Sequence, residues 1–179
     1  EDSDLIVLIG SNPRYEATIL NTRIRKNYLN KKTEIFSLGD IGDLTYPYNI
    51  IENKTNIIKD IVSNKHELSN KIKKSNKPLI IVGQSVLKMK SGKYIFEELK
   101  NFLLENNKIN DDWNSLNILS NNASTVGSYD LGIFSSENGK NETLDKIKNN
   151  KIEIIFLFGQ DNLKFNKKKE FIIYIGSHG

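Results

Sequence analysis

The chain has 179 residues, 37% of them hydrophobic, and its 26 Lys and Arg against 22 Asp and Glu give a formal net charge of +4 and a pI near 9.1. That length supports one sizeable core, and a single α/β domain, or a segment of one, is the expected count over residues 1–179. Zero cysteines exclude disulfides, thiolate metal sites and cysteine-ligated clusters from these residues; no apolar run approaches the ~20 residues of a membrane-spanning helix; and the short basic clusters at Lys31–Lys32, Lys73–Lys74 and Lys167–Lys169 read as solvated faces rather than a nucleic-acid surface.

Leu5 to Ile9 is an unbroken apolar run, so this strand is expected to be buried on both faces, as in a parallel sheet covered by helices. Gly10 turns the chain, Ser11 or Asn12 caps, and Pro13 opens a helix at the one position where its missing N–H is not needed. The helix is expected to run to about Asn30, with Ala17, Leu20, Ile24 and Tyr28 on its inner face. Glu34–Leu38 alternates and reads as a strand near a sheet edge, and Asp40 to Glu52, with Gly42 and Pro47, as an ordered extended connection.

Two short amphipathic helices follow, one through Ile57, Ile58, Ile61 and Val62 and one through Leu68 and Ile72, both ending before Pro78. Leu79–Gly83 is a second buried strand. A polar turn through Gly92 leads into a helix carrying Ile95, Leu99, Phe102 and Leu103. Leu116–Leu119 is read as a strand, residues 123–132 resist assignment, and a helix is expected around Asn141 to Lys148. Ile152–Phe158 and Phe171–Ile175 are two further buried strands.

A buried strand stopped by glycine therefore recurs at Gly10-Ser11, Gly83-Gln84, Gly159-Gln160 and Gly176-Ser177. This pattern predicts an α/β fold, a Rossmann-like, open, mainly parallel sheet with helices on both faces and the glycine turns along one rim. A nucleotide-type ligand is one reading of that rim, and the common preference of strand-to-helix turns for glycine is the other. Neither G-x-G-x-x-G nor G-x-x-x-x-G-K-S/T occurs.

Other chemistry is sparse. His66 and His178 lack partners at metal-ligand spacing, so no metal site is expected. Ser85, Ser124 and Ser177 lack a nucleophile-elbow context, and no catalytic residue is assigned. Asp111-Asp112 reads as a turn or cap, and Tyr46 with Tyr48 as packing residues. The chain opens on Glu1 with no initiator methionine and stops directly after an apolar strand, which reads as a piece of a longer or processed polypeptide.

Gly10-Ser-Asn-Pro-Arg-Tyr-Glu-Ala17 followed by Asn21-Thr-Arg-Ile-Arg-Lys26 resembles the G-S/T-N-P-R-F/Y-E-A and N-x-R-I-R-K pattern of the large iron–sulfur subunit of respiratory complex I. The likeness continues through Asp43–Tyr48, Gly83–Leu87, Trp113–Leu119, Ala123–Gly132, Phe158–Asp161 and Tyr174–Gly179, in the same order as in that family. Ser177 stands where the family often has histidine, and residues 132–143 are only loosely similar.

The resemblance implies a fragment of that subunit's molybdopterin-oxidoreductase-like domain. In catalytic members of the wider superfamily the equivalent of the Gly10–Pro13 turn contacts a molybdopterin guanine dinucleotide. In complex I the domain is expected to hold no cofactor, leaving Gly10, Ser11, Asn12, Pro13, Gly83, Gly159 and Gly176 as a vestigial ligand rim. Iron–sulfur clusters would sit in the N-terminal part of the same subunit, outside this chain. The implied function is that of a non-catalytic scaffold supporting electron transfer from NADH to ubiquinone. Its implied partners are that N-terminal part and other peripheral-arm subunits, with no nucleic acid and no membrane insertion. The implied place is the matrix side of the mitochondrial inner membrane, or the cytoplasmic face of a bacterial plasma membrane. A fragment of an active molybdopterin oxidoreductase and a stand-alone nucleotide-binding module are the alternatives.

Overall fold

In a computed structural model the described residues are 2–31, 33–52, 54, 56–122, 124–132, 139–149, 151–159 and 170–176, with the backbone alone at 139–141. They divide into two compact units, Glu1–Ala123 and Ser124–Gly179.

The first unit runs β1 (Leu5–Ile9), α1 (Pro13–Glu16), α2 (Thr18–Lys31), β2 (Glu34–Leu38), β3 (Asn49–Ile51), α3 (Ile57–Val62), α4 (Glu67–Lys74), β4 (Pro78–Gly83), α5 (Gln84–Leu87), α6 (Gly92–Glu105) and β5 (Leu116–Leu119). Its five strands are all parallel, in the order β3-β2-β1-β4-β5. Every residue of β1 is buried, as its unbroken apolar run requires. Leu5, Val7 and Ile9 face one way, where α3, α4 and α6 supply Ile57, Ile61, Leu68, Ile72, Leu99 and Leu103. Ile6 and Leu8 face the other way and meet Ile24 of α2 together with Leu44 and Tyr46. Each such side chain contributes roughly 1.5–3 kcal/mol by leaving water.

Three local expectations need correction. The helix after Pro13 breaks at Ala17 (φ −154°, ψ 74°), because α1 is tied to the 40–48 segment while α2 follows the sheet. The strand Glu34–Leu38 does lie next to a sheet edge, but the segment read as an extended connection contains Asn49–Ile51, which pairs with it as the edge strand itself. Only Ile51 of that edge strand is buried, so three residues display no alternation to read. A one-turn helix, α5, occupies the start of the polar turn before Gly92.

Opposite the glycine turns, the amino ends of the strands are pinned by Asp4. Its carboxylate accepts from Ser75 Oγ, from the Asn76 N–H at 2.7 Å and from the Lys77 N–H at 3.0 Å. Trp113 donates its indole N–H to the Pro78 carbonyl at 2.8 Å, and the Lys77 ammonium lies 5.2 Å from its ring centre. Asn110 Oδ1 accepts from the N–H groups of Asp112 and Trp113, so Asp111-Asp112 is a turn.

The second unit contains α7 (Thr125–Asp130), α8 (Gly139–Lys148), β6 (Ile154–Phe158) and β7 (Phe171–Ile175). β6 and β7 form a parallel pair of their own, in the register Ile154↔Phe171 to Phe158↔Ile175. They are not the buried strands expected, since Ile155 alone among their residues is buried and, among the described residues, the pair lacks the neighbouring strands and helices that cover β1 and β4. The unassigned 123–132 stretch thus holds α7, and the four glycine turns fall as two pairs, one on each sheet.

Candidate functional site

From β1 the chain moves through β2 to β3 on one side of the sheet and later returns to β4 and β5 on the other, which makes the β1/β4 boundary the topological switch point. In open α/β sheets ligands collect above this boundary, at the carboxyl ends of the strands. Gly10 and Gly83 sit there side by side.

Their packing is tight. Gly10 has φ +60°, and a Cβ added to it would lie 2.2 Å from Val86 Cγ2. A Cβ on Gly83 would lie 2.1 Å from the Gly10 carbonyl oxygen. Ser85 Oγ donates to that same carbonyl at 2.6 Å. The serine is thereby a brace across the two turns, and among the described residues no histidine or carboxylate activates it. Gln84 Oε1 accepts from the Asn121 N–H at 2.9 Å and ties in the turn after β5.

Asn12 caps α1 by accepting from the Arg14 N–H at 3.0 Å, and its Nδ2 donates to the Ile41 carbonyl at 2.6 Å. Pro13 takes the first helical position and is buried. Arg14 Nη1 donates to the Asp43 carbonyl at 2.9 Å and to Asp43 Oδ2 at 2.5 Å. The Thr45 N–H and then the Arg14 guanidinium hold the Asp43 carboxyl below its usual range. Ser11 is buried and its hydroxyl finds no hydrogen-bond partner in the structure.

Beside the turn lies a cavity of about 490 Å³ with apolar walls from Ile9, Leu38, Ile57, Val86 and Ile95. Ser85, Ser91 and Lys54 are its polar members. Sequence reading did not single out Lys54, whose ammonium pairs with Glu52. Gly159 (φ +57°) follows β6 and donates its N–H to the Ile175 carbonyl at 2.8 Å, while a Cβ on Gly176 would strike the Tyr174 ring.

The remaining candidates have structural duties. His66 caps α4, its Nδ1 accepting from the Leu68 N–H at 3.1 Å. His178 and Ser177 lie outside the described residues. Among the described residues no three His, Asp or Glu side chains cluster as a metal site would need, and no helix is long and apolar enough to cross a membrane.

A pterin dinucleotide would bring a pyrophosphate to the Gly10–Pro13 turn, and binding it takes free N–H donors and cations. Here the Asn12 N–H already holds the Glu16 carboxylate at 2.7 Å, an anion supplied by the chain itself. The Arg14 N–H is held by Asn12, the Arg14 guanidinium by Asp43, and Lys54 by Glu52. These donors are thus engaged within the chain and fit a pyrophosphate poorly, while the buried Ser11 hydroxyl beside them has no partner.

Relatives match the whole chain. It is 41% identical over 182 residues to the NADH-ubiquinone oxidoreductase 75 kDa subunit of Reclinomonas americana, covering 26% of that protein. It is 34% identical over 180 residues to the corresponding NADH-quinone oxidoreductase subunit of Rickettsia bellii (25% of that protein), and 34% identical over 182 residues to the mitochondrial NADH-ubiquinone oxidoreductase 78 kDa subunit of Candida albicans (24%). The chain thus spans about a quarter of the length of these relatives. The model of the molybdopterin oxidoreductase family matches residues 1–179, so the glycine turn, its asparagine cap and the parallel sheet beneath them are those of a chain that belongs to the molybdopterin oxidoreductase family.

Proposed function

We propose that this chain is a non-catalytic scaffold segment of the large iron–sulfur subunit of respiratory complex I, the assembly that passes electrons from NADH to quinone. The observation that carries the reading is the outer face of the β6–β7 pair. Ile154, Phe156, Phe158, Phe171 and Ile175 share that face and are each more than half exposed, with Ile173 half-buried among them. The rings of Phe156 and Phe158 stack at 6.4 Å. Parallel strands are ordinarily covered on both sides, and a two-stranded sheet with an all-apolar open face is an incomplete structure. We assign its cover to the remainder of the same subunit, since the relatives are about four times as long as this chain.

The engagement of the Asn12 and Arg14 N–H groups by Glu16 and Asn12, and of the Arg14 guanidinium by Asp43, supports a segment without a bound cofactor. The iron–sulfur clusters belong, on this reading, to the N-terminal part of the subunit, and the neighbours are other peripheral-arm subunits. The segment would lie on the matrix side of the mitochondrial inner membrane, or on the cytoplasmic side of a bacterial one.

Mass spectrometry of the membrane complex that co-purifies with this chain from its native source tests the proposal. Flavin-site and quinone-site subunits, together with peptides of a cysteine-rich N-terminal part, are the expected companions. Recovery of the chain alone, or with a bound pterin, overturns it.

A further inference from the structure

Helix α2 is built the wrong way round for a surface helix. Its buried positions include Asn21 and Asn27, whose side-chain amides donate to the Leu44 carbonyl at 3.0 Å and the Ser3 carbonyl at 2.7 Å. Its solvent side carries Ile19, 74% exposed, and Leu29, 65% exposed, and Tyr15 of α1 is 78% exposed. Ile19, Thr22, Lys26 and Leu29 follow one another at helical spacing along this outer line, and the two apolar anchors are about 15 Å apart.

The charged residues of the helix itself have one sign. Arg23, Arg25, Lys26 and Lys31 are the charged residues of α2, and it contains no carboxylate. Lys31 reaches Asp2 at 3.4 Å. Arg23 and Arg25, on either flank of the Ile19–Leu29 line, form no hydrogen bond or ion pair among the described residues. Exposed apolar anchors with arginines beside them have the composition of an interface centre, where burial supplies affinity and charge selects the partner.

We infer that the outer face of α2 is a docking surface for an acidic amphipathic helix from outside these 179 residues, its apolar seam covering Ile19 and Leu29 and its flanking carboxylates meeting Arg23 and Arg25. The occupant is a helix because the anchors lie along a straight line of nearly three turns, the length over which two packed helices keep their ridges interlocked. It is acidic because a basic or neutral seam would leave two arginines facing a low-dielectric contact without counter-charge. This deepens the scaffold reading by naming the chemistry of one neighbour.

The test places a photo-crosslinking residue at position 19 or 29 of the full polypeptide in its native source and sequences the attached peptide. Position 156 serves as a control on the scaffold reading. The expected product is a peptide from outside residues 1–179 with apolar residues at three- and four-residue spacing flanked by Asp or Glu. The double variant R23E/R25E should lower its yield by about tenfold or more, whereas R23K/R25K should retain most of it.

No adduct at 19 or 29 with a clear adduct at 156 overturns the docking surface and leaves the scaffold reading standing. An acidic helix belonging to a protein outside complex I supports the surface and overturns the scaffold reading. An adduct within residues 1–179, to a second copy, to lipid, or to a segment without carboxylates overturns the inference.

Discussion

Tyr46 donates its hydroxyl to Asn21 Oδ1 at 2.8 Å, and both residues are buried between α2 and the sheet. Asn21 Nδ2 completes the arrangement by donating to the Leu44 carbonyl at 3.0 Å. Burial raises the Tyr46 phenol well above its ordinary range, so the hydroxyl remains a donor at any pH the fold experiences. Y46F should therefore destabilise the fold by about 1–3 kcal/mol, since it leaves Asn21 Oδ1 desolvated without a donor. N21L should cost more than Y46F, because it strands both the Tyr46 hydroxyl and the Leu44 carbonyl. Urea titration, read as the shift in midpoint at constant slope, ranks the two.

The paired glycines make a different prediction. G83A puts a Cβ 2.1 Å from a backbone oxygen of the neighbouring strand turn, which no side-chain rotation relieves. A loss of about 1–3 kcal/mol or more is expected from such overpacking. Gly42 has φ +78° with open space around it, so G42A isolates the left-handed penalty of about 1–2 kcal/mol. G10A combines that penalty with the contact against Val86 and should exceed G42A. Thermal denaturation of the three variants gives the order.

Asp4 sets an acid dependence. Burial pushes its carboxyl up, but the hydrogen bonds from Ser75, Asn76 and Lys77 together outweigh this and hold it below the usual range. A carboxylate with a lowered folded-state pKa contributes stability that is fully present above its unfolded value, near pH ~3.9, and is lost as pH falls through the folded value. Stability measured from pH 6 downward, about the range where carboxylates begin to titrate, should therefore fall more steeply in the wild type than in D4N. Parallel curves would remove Asp4 from the account.

Ser85 separates a brace from a nucleophile. S85A should lower stability by about 0.5–1.5 kcal/mol, the usual net worth of one hydrogen bond. If the chain is the complex I scaffold proposed above, NADH oxidation by the assembled complex should be unchanged beyond any loss of assembly. A large fall in turnover at full assembly would contradict the structural role.

Much of this was legible in the sequence where one physical constraint dominates. Leu5–Ile9 and Leu79–Val82 admit no solvent-facing side, and Asn12-Pro13 has few uses besides starting a helix. The acidic partner of Arg14 was also foreseeable, because a guanidinium beside a turn seeks a carboxylate, and Asp43 supplies it. The inner face of α2 was legible only in part. Ile24 is buried and Leu20 and Tyr28 pack half-buried against the same core, but the fully buried positions also include Asn21 and Asn27, whose partners are carbonyls at residues 44 and 3. Hydrophobic periodicity carries no trace of an amide that pairs with a distant backbone oxygen.

The asparagines under α2 also fix how that helix can move. A helix seated on aliphatic side chains alone can slide or roll by a fraction of a turn at small cost, since apolar contacts are interchangeable. One anchored by Asn21 to the Leu44 carbonyl and by Asn27 to the Ser3 carbonyl has its rotation and axial position both set by directional bonds, one near each end. A slip of one turn, about 5.4 Å, would break both at once. Whatever meets Ile19 and Leu29 therefore meets a rigid template rather than an adaptable one, and its affinity should depend on shape match more than on mutual adjustment.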